Sequence, residues 1–333
     1  MALTTITSHD AAIHGQVEAA LRGRRGDVGG RVFEVALIAC LLLSLLVLGA
    51  LIATVLSDGA GVYQDRAGTF LDSGLSRRAG NAGISQGIVG SLWIAISVVV
   101  LSLPLGVGAA IYLEEYARRT RLTSFIELNI RNLAGVPSIV YGLLGLGIFV
   151  EALNGIWSDG FLSGEGVERR TLLAAGVTLA VLVLPIVIIT TSEALRAVPS
   201  SLREGAYGAG ATRWEVIRTV VLPYAAPGIF TGALLSIARA VGEAAPLIVV
   251  GAVTGYFAGG VGLSPGNLLD PAHLGERFTA MPAVVTTWAK LPSDEFKVEN
   301  TAAAILAMLV FVLLINSIAI VLRNRFEKKR SSL

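Results

Sequence analysis

Apolar runs long enough to cross a lipid bilayer recur along this chain of 333 residues. A membrane-spanning helix needs about 20 apolar residues, because the hydrocarbon core is about 30 Å thick. Six segments reach about this length, at residues 35–56, 88–113, 136–157, 171–191, 227–255 and 301–322. We therefore predict an all-α integral membrane protein with six transmembrane helices.

The composition agrees with a lipid environment. Hydrophobic residues make up 54% and charged residues 15% of the chain, against about 45–50% and about 25% in soluble domains. The net charge of +2 gives no sign of a nucleic-acid partner. Cys40 is the single cysteine, so no intrachain disulfide is expected, and His9, His14 and His273 have no ligand cluster around them. We expect no metal site.

The distribution of basic residues predicts the orientation. Lys and Arg number 17 in the two terminal tails and the connections on their side of the membrane, against 8 on the opposite side. Because cytoplasmic segments are enriched in these residues, both termini are predicted to be cytoplasmic. The N-terminal tail lacks a signal-peptide pattern, so we expect the first apolar run to remain as an anchor.

The predicted organisation follows from these spans. It comprises a cytoplasmic tail at 1–32, a first transmembrane helix at 33–56, an outer loop at 57–85, a five-helix core at 86–322 and a basic cytoplasmic tail at 323–333. Within the core we expect a cytoplasmic coupling segment at 199–223 and an outer loop at 256–300, in which 280–289 forms a short re-entrant or interfacial helix.

Two prolines within predicted spans are hinge candidates. Pro104 lies in the second span and Pro246 in the fifth, and each removes one helical hydrogen bond. Proline is also generally more frequent in membrane helices. That ordinary explanation fits Pro104 equally well.

The segment 199–223 has the pattern of a helix, a turn and a second helix. Ser201 with Glu204, and Thr212 with Glu215, have the spacing of capping boxes. Gly210 lies between them, where a glycine commonly ends a helix in a left-handed conformation.

The second of these helices is predicted to end at Leu222-Pro223. Trp214, Ile217 and Val221 in it would form one apolar stripe at helical spacing. Two interpretations stay open: the stripe packs on the ends of the chain's own spans, or it docks a soluble partner.

The same segment resembles the EAA loop of ATP-binding-cassette importer permeases. The spacing of that motif is met by Glu204, Gly205, Ala206, Gly210, Val220, Leu222 and Pro223. Gly205 replaces the usual alanine and Val220 the usual isoleucine. The resemblance implies that these residues, together with Trp214, couple the chain to an ATPase. Glu204 has two candidate roles, capping its own helix or contacting the ATPase.

No nucleotide-binding motif accompanies this segment. A phosphate-binding Walker loop requires Gly-Lys followed by Ser or Thr, and none of the four lysines follows a glycine. We therefore expect no enzyme activity and no cofactor on this chain. ATP and Mg²⁺ would be bound by a separate ATPase subunit.

Three further stretches, 132–149, 238–252 and 278–289, resemble the PstA-type membrane subunits of phosphate importers. With the EAA loop, the resemblance extends over 85–325. It implies the type I importer permease fold, a bacterial plasma (inner) membrane location and phosphate as the transported ion. The implied partners are a homologous PstC-like permease, two PstB-like ATPase subunits and an extracytoplasmic PstS-like phosphate-binding protein. The alternatives are a permease for another oxyanion, such as molybdate or sulfate, and an ATP-independent transporter.

Arg239 and Glu243 are the only charged residues in the stretch 234–252. A charge at the centre of a bilayer costs about 2.5–3.5 kcal/mol on insertion scales, so each needs a reason to be there. On a helix the two residues would be neighbours on one face. A structural ion pair is one explanation, although its desolvation often costs more than its attraction returns. The functional hypothesis is that Arg239 and Glu243 line the translocation path, Arg239 binding the passing anion and Glu243 keeping that binding weak.

Overall fold

The computed structural model describes residues 28–152, 170–253, 263 and 270–331. Every regular element in this part of the chain is a helix. The chain divides into two compact units, Met1–Thr54 and Val55–Leu333. Among the described helices, five are long and apolar enough to cross a membrane, or six if one bent pair counts as a single span. The prediction of an all-α, multi-pass membrane protein is confirmed.

Helix α1 runs over Val28–Asp72. Its residues 28–54 form the described part of the first unit, where large apolar side chains such as Leu46 are exposed, as suits a surface facing lipid. The helix continues beyond the predicted end at residue 56, so the expected loop at 57–85 is wrong for its first part. Val62 and Phe70, at 5% and 0% exposure, bury an apolar stripe there, and such packing supplies most of a helix's stability. The backbone is non-helical at Arg66.

Four long helices pack together in the second unit. They are α2 at Ser85–Ile111, α5 at Leu172–Arg196, α8 at Leu222–Gly242 and α11 at Thr301–Ser331. Helices α2 and α5 make the most extensive contact, and α8 packs against α2, α5 and α11. Residues 55–72 of α1 also belong to this unit and share an apolar cluster with α11. Gly106 fits against Val187, where a Cβ would come within 2.6 Å of that side chain. Small residues of this kind allow membrane helices to approach closely. Pro104 lies inside α2, which is unbroken at that point.

The third predicted span, 136–157, is one arm of a bent pair. Helix α3, Arg121–Ala134, and helix α4, Ser138–Leu144 with a π-helical extension to Ala152, meet at an angle of 105°. Residues 153–157 of the predicted span lie outside the described residues.

The predicted coupling segment contains two helices, α6 at Ser200–Gly208 and α7 at Arg213–Val216. The expectation that the second helix ends at Leu222-Pro223 is wrong. A π-helical turn, Ile217–Val221, connects α7 directly to α8. The ring of Pro223 would clash with the Thr219 carbonyl in a regular helix, and a π turn is a common place for a helix to absorb such an irregularity.

The predicted fifth span, 227–255, is divided into two helices. Helix α8 ends at Gly242, and a short helix α9 follows at Ala245–Val250. Residues 254 and 255 lie outside the described residues. The short helix predicted at 280–289 is present as α10, Met281–Trp288, and most of its side chains are buried. A π-helical turn, Glu295–Asn300, leads from there into α11.

Candidate functional site

Arg239 and Glu243 lie on either side of the end of α8. Arg239 belongs to the last turn of the helix, whereas Glu243 follows its last residue, Gly242, with extended backbone (φ −81°, ψ 119°). The Arg239 Nε and Glu243 Oε1 atoms are 3.5 Å apart. The two side chains therefore form the predicted contact, but the expectation that both residues stand on one helical face is wrong.

Pro246 accounts for the break in the helix. In an uninterrupted helix its nitrogen would have to donate to the Gly242 carbonyl, and proline has no N–H to donate. The chain instead leaves the helix after Gly242 and starts α9 with Pro246 in its first turn, where a missing N–H costs nothing. The helix is thus interrupted at the hinge candidate Pro246, beside the charged pair. The role of Pro246 as a hinge stays a prediction.

The charged pair is accessible in the isolated chain. The side chains of Arg239 and Glu243 are 45% and 20% exposed. Within the described residues, the terminal nitrogens of Arg239 make no hydrogen bond. A guanidinium group offers several donors in a planar fork that matches an oxyanion. Arg239 therefore keeps donors available for an anion while it contacts Glu243.

Helix α4 packs beside the break. A Cβ on Gly142 would lie 2.7 Å from the Pro246 Cα atom, so only glycine fits at this crossing without a shift. The neighbouring Tyr141 is buried and donates its hydroxyl hydrogen bond to the Leu133 carbonyl at 2.8 Å. The bent α3–α4 pair is thus adjacent to the charged pair.

The turn of the coupling segment has the predicted geometry. Gly210 has a positive φ of 86°, the left-handed conformation that favours glycine. The Thr212 backbone N–H donates to the Glu215 carboxylate at 2.7 Å, and the Glu215 N–H donates to the Thr212 hydroxyl at 3.4 Å. The capping box at Thr212 and Glu215 is confirmed.

The other predicted capping box is wrong. Helix α6 begins at Ser200, with Pro199 in the cap position and no side-chain cap. Ser201 is therefore already inside the helix, and Glu204 has no N-cap hydroxyl partner to complete a box. The Glu204 side chain is exposed and makes no hydrogen bond or ion pair within the described residues.

The apolar stripe predicted in the coupling segment is only partly buried. Ile217 and Val221 are fully buried, as expected, but Trp214 is 54% exposed and does not join them. Leu202 and Tyr207 are also exposed. The remaining predicted coupling residues are distributed between the surface and the interior: Gly205, Gly210 and Pro223 are exposed, and Ala206, Val220 and Leu222 are half-buried.

An ion-pair network at the base of this segment escaped the sequence analysis. Arg203 of α6 pairs with Glu115 at 3.0 Å, and Arg196 at the end of α5 pairs with Glu114 at 2.7 Å. Both acids lie in the π-helical turn Tyr112–Tyr116 that ends α2. Two adjacent acids directly after an apolar run were the available signal, since such a position is costly without partners.

A second polar cluster surrounds the interruption of α1. Arg66 donates to the carbonyls of Gly80 and Ala82 at 2.8 and 3.0 Å and to the side chain of Asn300. Asn300 is 1% exposed and also donates to the Ala79 carbonyl. These contacts satisfy the backbone groups of a segment that is otherwise irregular, so the cluster is structural.

These features define a class of protein. That class is the multi-pass helical membrane protein, here with an accessible arginine–glutamate pair at a break in one span and a separate helix–turn–helix segment at one helix end. The chain belongs to the family of binding-protein-dependent transport system inner membrane components, whose model matches residues 102–332.

Several relatives of known sequence support this assignment. The chain is 35% identical over 250 residues to the phosphate transport system permease protein PstA 1 of Mycobacterium tuberculosis (strain CDC 1551 / Oshkosh). The matched region covers 74% of this chain and 73% of that protein. It is 35% identical over 185 residues to the probable ABC transporter permease protein YqgI of Bacillus subtilis (strain 168), covering 56% of this chain and 58% of YqgI. The matched region thus spans less than two thirds of YqgI.

The fold is shared with solved transporters. A chain of the bacterial alginate ABC transporter, solved in complex with an alginate pentasaccharide-bound periplasmic protein, superimposes with a TM-score of 0.60 at 14% identity, over 86% of this chain and 92% of that chain. The predicted type I importer permease fold is confirmed by this likeness. The individual roles assigned to Arg239, Glu243 and the coupling residues stay predictions.

Proposed function

We propose that this chain is the membrane-spanning subunit of an ATP-driven importer of inorganic phosphate and forms half of its translocation path. The similarity to phosphate permeases over 74% of the chain supports the substrate. The observation that carries the mechanism is the Arg239–Glu243 contact at the break between α8 and α9.

Arg239 and Glu243 would act as a weak, releasable anion site. Arginine remains charged at every physiological pH and binds oxyanions through paired hydrogen bonds. Phosphate carries more than one negative charge on average near neutral pH, so it can compete with the single carboxylate of Glu243 for Arg239. When phosphate moves on, Glu243 returns to the guanidinium group. The acid thereby lowers the affinity of a site through which ions must pass without being retained.

One continuous helix connects this site with the coupling segment. It spans Arg213–Gly242, 30 residues, which corresponds to about 45 Å at the rise of an α-helix. Movement of α7 by a partner would therefore move the far end of α8, where Arg239 lies. This is the mechanical path by which ATP hydrolysis elsewhere would change access to the charged pair.

The ATP would be hydrolysed by other subunits. The partners we propose are a PstC-like permease, two PstB-like ATPases that bind ATP and Mg²⁺, and a PstS-like phosphate-binding protein on the outer side. The exposed Trp214 and Glu204 on the coupling segment provide an apolar and an acidic contact for an ATPase. Since Glu204 makes no capping contact, its exposure supports the second of its two candidate roles.

The proposed orientation puts the coupling segment in the cytoplasm. Lys and Arg number 17 on the side of the two termini and 8 on the other, which favours cytoplasmic termini. The plasma (inner) membrane of a bacterium is the location that agrees with these partners.

The test is reconstitution of the purified assembly in proteoliposomes with its ATPases and binding protein. Phosphate uptake should require ATP, and a large excess of sulfate or molybdate should leave it unchanged. Uptake that sulfate or molybdate abolishes would assign another oxyanion. Uptake at the same rate without ATP, or a permease that purifies without an ATPase, would contradict the importer mechanism.

A further inference from the structure

Arg203 joins the coupling segment to two membrane helices at once. From α6, its Nη2 atom donates to Glu115 Oε1 at 3.0 Å and to the Leu195 carbonyl at 2.8 Å. Its Nη1 atom donates to the Val198 carbonyl at 2.9 Å. Glu115 lies in the π-helical turn that follows α2, Leu195 lies in the last turn of α5, and Val198 comes two residues after the end of α5. One guanidinium group therefore contacts the ends of both helices.

The chemistry of this contact is specific to arginine. The last carbonyls of a helix lack partners within it and carry partial negative charge, so a cation is favourable there. Arg203 donates to the Leu195 carbonyl in the last turn of α5, to the Val198 carbonyl just beyond that helix and to the Glu115 carboxylate. Lysine has the charge but not the fork that reaches several acceptors in fixed directions.

The pair is largely shielded from water. The side chains of Glu115 and Arg203 are 10% and 24% exposed. Removing one member of such a pair leaves the other charge without compensation, whereas an exposed surface pair contributes little. The relative position of α6 and α2 therefore depends on this contact more than on an ordinary surface ion pair.

Helix α6 has few other attachments. It contains no buried residue, and Ala206 packs only partly against the apolar cluster that includes Leu195 and Val216. Its exposed face carries Glu204 and Tyr207. Besides the chain connections of α6 to α5 and α7, a force applied to that face would reach the ends of α2 and α5 through Arg203. Nearby, the Arg213 guanidinium lies 5.0 Å from the centre of the Tyr116 ring, a second contact between the segment and α2.

We propose that the Arg203–Glu115 ion pair is the positioning contact through which movement of the coupling segment is transmitted to α2 and α5. This inference rests on the proposed function, because it assumes that an ATPase docks on the segment. It adds two residues, Arg203 on α6 and Glu115 after α2, whose role is to transmit motion and not to contact the ATPase. Loss of the pair should let the ATPases work without moving the membrane helices.

The experiment compares ATP consumption with transport in proteoliposomes that hold the complete assembly and its binding protein. The variants are Glu115→Gln, Arg203→Gln, Arg203→Lys and the Glu115→Gln/Arg203→Gln double variant. Arg119→Gln is the matched control, since Arg119 is exposed and its side chain makes no hydrogen bond or ion pair within the described residues. Initial rates of ATP hydrolysis and of labelled phosphate uptake are measured on the same preparation.

We expect the ATP consumed per phosphate to rise about 2- to 30-fold in the single variants, the range over which single substitutions alter coupling between sites. The double variant should be no worse than the worse single variant, because both changes remove one interaction. Arg203→Lys should fall between Arg203→Gln and the unmodified protein, and the control should keep the normal ratio.

A role limited to folding would give a different result. Uptake and hydrolysis would then fall in proportion, with the ratio unchanged, and that outcome would overturn the inference. Additive losses in the double variant would overturn it too. Should Arg203→Gln assemble poorly, the nearly isosteric Glu115→Gln decides, and a normal ratio in that variant rejects the inference. Failure of the proposed function itself is seen separately, as absence of ATP-driven phosphate uptake by the unmodified assembly.

Discussion

Glu243 contacts Arg239 across the end of α8, with 3.5 Å between Oε1 and Nε, although only Arg239 is helical. The acid can therefore withdraw from the arginine by rotation of its own backbone, without unwinding α8. A pair held on one helical face would lack this freedom. The break produced by Pro246 thus gives Glu243 a means of exchanging with a passing anion.

Replacing Arg239 with glutamine should strongly impair transport. Hydrogen bonds to charged groups contribute about 1.5–3 kcal/mol, so ATP-driven phosphate uptake should fall about 10- to 100-fold. Uptake of labelled phosphate is measured in cells whose membranes contain normal amounts of the variant. Arg78→Gln is the control, because Arg78 is an exposed arginine remote in sequence from the pair. Unimpaired uptake by Arg239→Gln would reject a role for Arg239 in the path.

Replacing Glu243 with glutamine should have a different effect. The amide no longer competes for Arg239 as a charge, so phosphate should be released more slowly while the assembly forms normally. We expect a lower maximal uptake rate together with more phosphate retained by the purified assembly. Glu299→Gln, at an exposed acid, provides the control. The idea fails if Glu243→Gln loses retention and uptake together, as Arg239→Gln should.

The positions of the membrane helices could be predicted from hydropathy, because a helix that crosses the bilayer needs about 20 apolar residues. The residues at which the helices end could not be predicted in this way. The extension of α1 to Asp72 depends on burial of Val62 and Phe70 in a cluster with Met281 and Trp288, more than 200 positions away. No pattern within 57–85 contains that information.

Helix caps and turns in the coupling segment were predicted from local sequence, correctly in two cases and wrongly in one. The Thr212–Glu215 capping box and the left-handed Gly210 depend on neighbours within three residues. The Ser201–Glu204 box has the same spacing but is absent, because α6 already begins at Ser200 after Pro199. The pairing of Arg203 with Glu115 joins residues 88 positions apart, so it required the packed structure.

Substitution of Gly210 by valine should disrupt the turn of the coupling segment and thereby impair ATP-driven uptake. Its φ of 86° is unfavourable for any residue with a Cβ and most so for a β-branched one, at a cost of about 1–2 kcal/mol. ATP-driven uptake should fall while the protein still inserts into the membrane in normal amounts. Gly208→Ala is the matched control, because a Cβ there meets no atom and the helical backbone accepts it. Equal uptake by both variants would contradict a requirement for the turn.

Trp214→Ala should weaken ATPase docking without destabilising the permease. The side chain is 54% exposed in the isolated chain, so its removal leaves no cavity, whereas loss of an aromatic interface anchor costs about 2 kcal/mol or more. We expect affinity for the ATPase subunit to fall at least about 10-fold, with thermal stability of the isolated permease unchanged. Leu122→Ala removes an apolar side chain of α3 that is also exposed, at 68%, and should leave affinity unaltered. An unchanged ATPase affinity for Trp214→Ala would exclude this residue from the docking surface.

Gly142→Ala tests whether the approach of α4 to α9 supports the break beside the charged pair. A Cβ at Gly142 would lie 2.7 Å from the Pro246 Cα atom and 3.2 Å from the Pro246 carbonyl oxygen. Because both atoms belong to the backbone, they cannot move aside by a change of rotamer, and α9 would have to shift. Overpacking of this kind costs about 1–3 kcal/mol, so the thermal stability of the purified permease should fall. Phosphate uptake should fall as well, since Glu243 is displaced from Arg239.

Gly147→Ala is the matched control. It makes the same change in the same helical segment, at a position where a Cβ meets no atom, and it should leave both stability and uptake unchanged. If Gly142→Ala is as stable and as active as Gly147→Ala, the close packing of Gly142 on Pro246 does not position the charged pair.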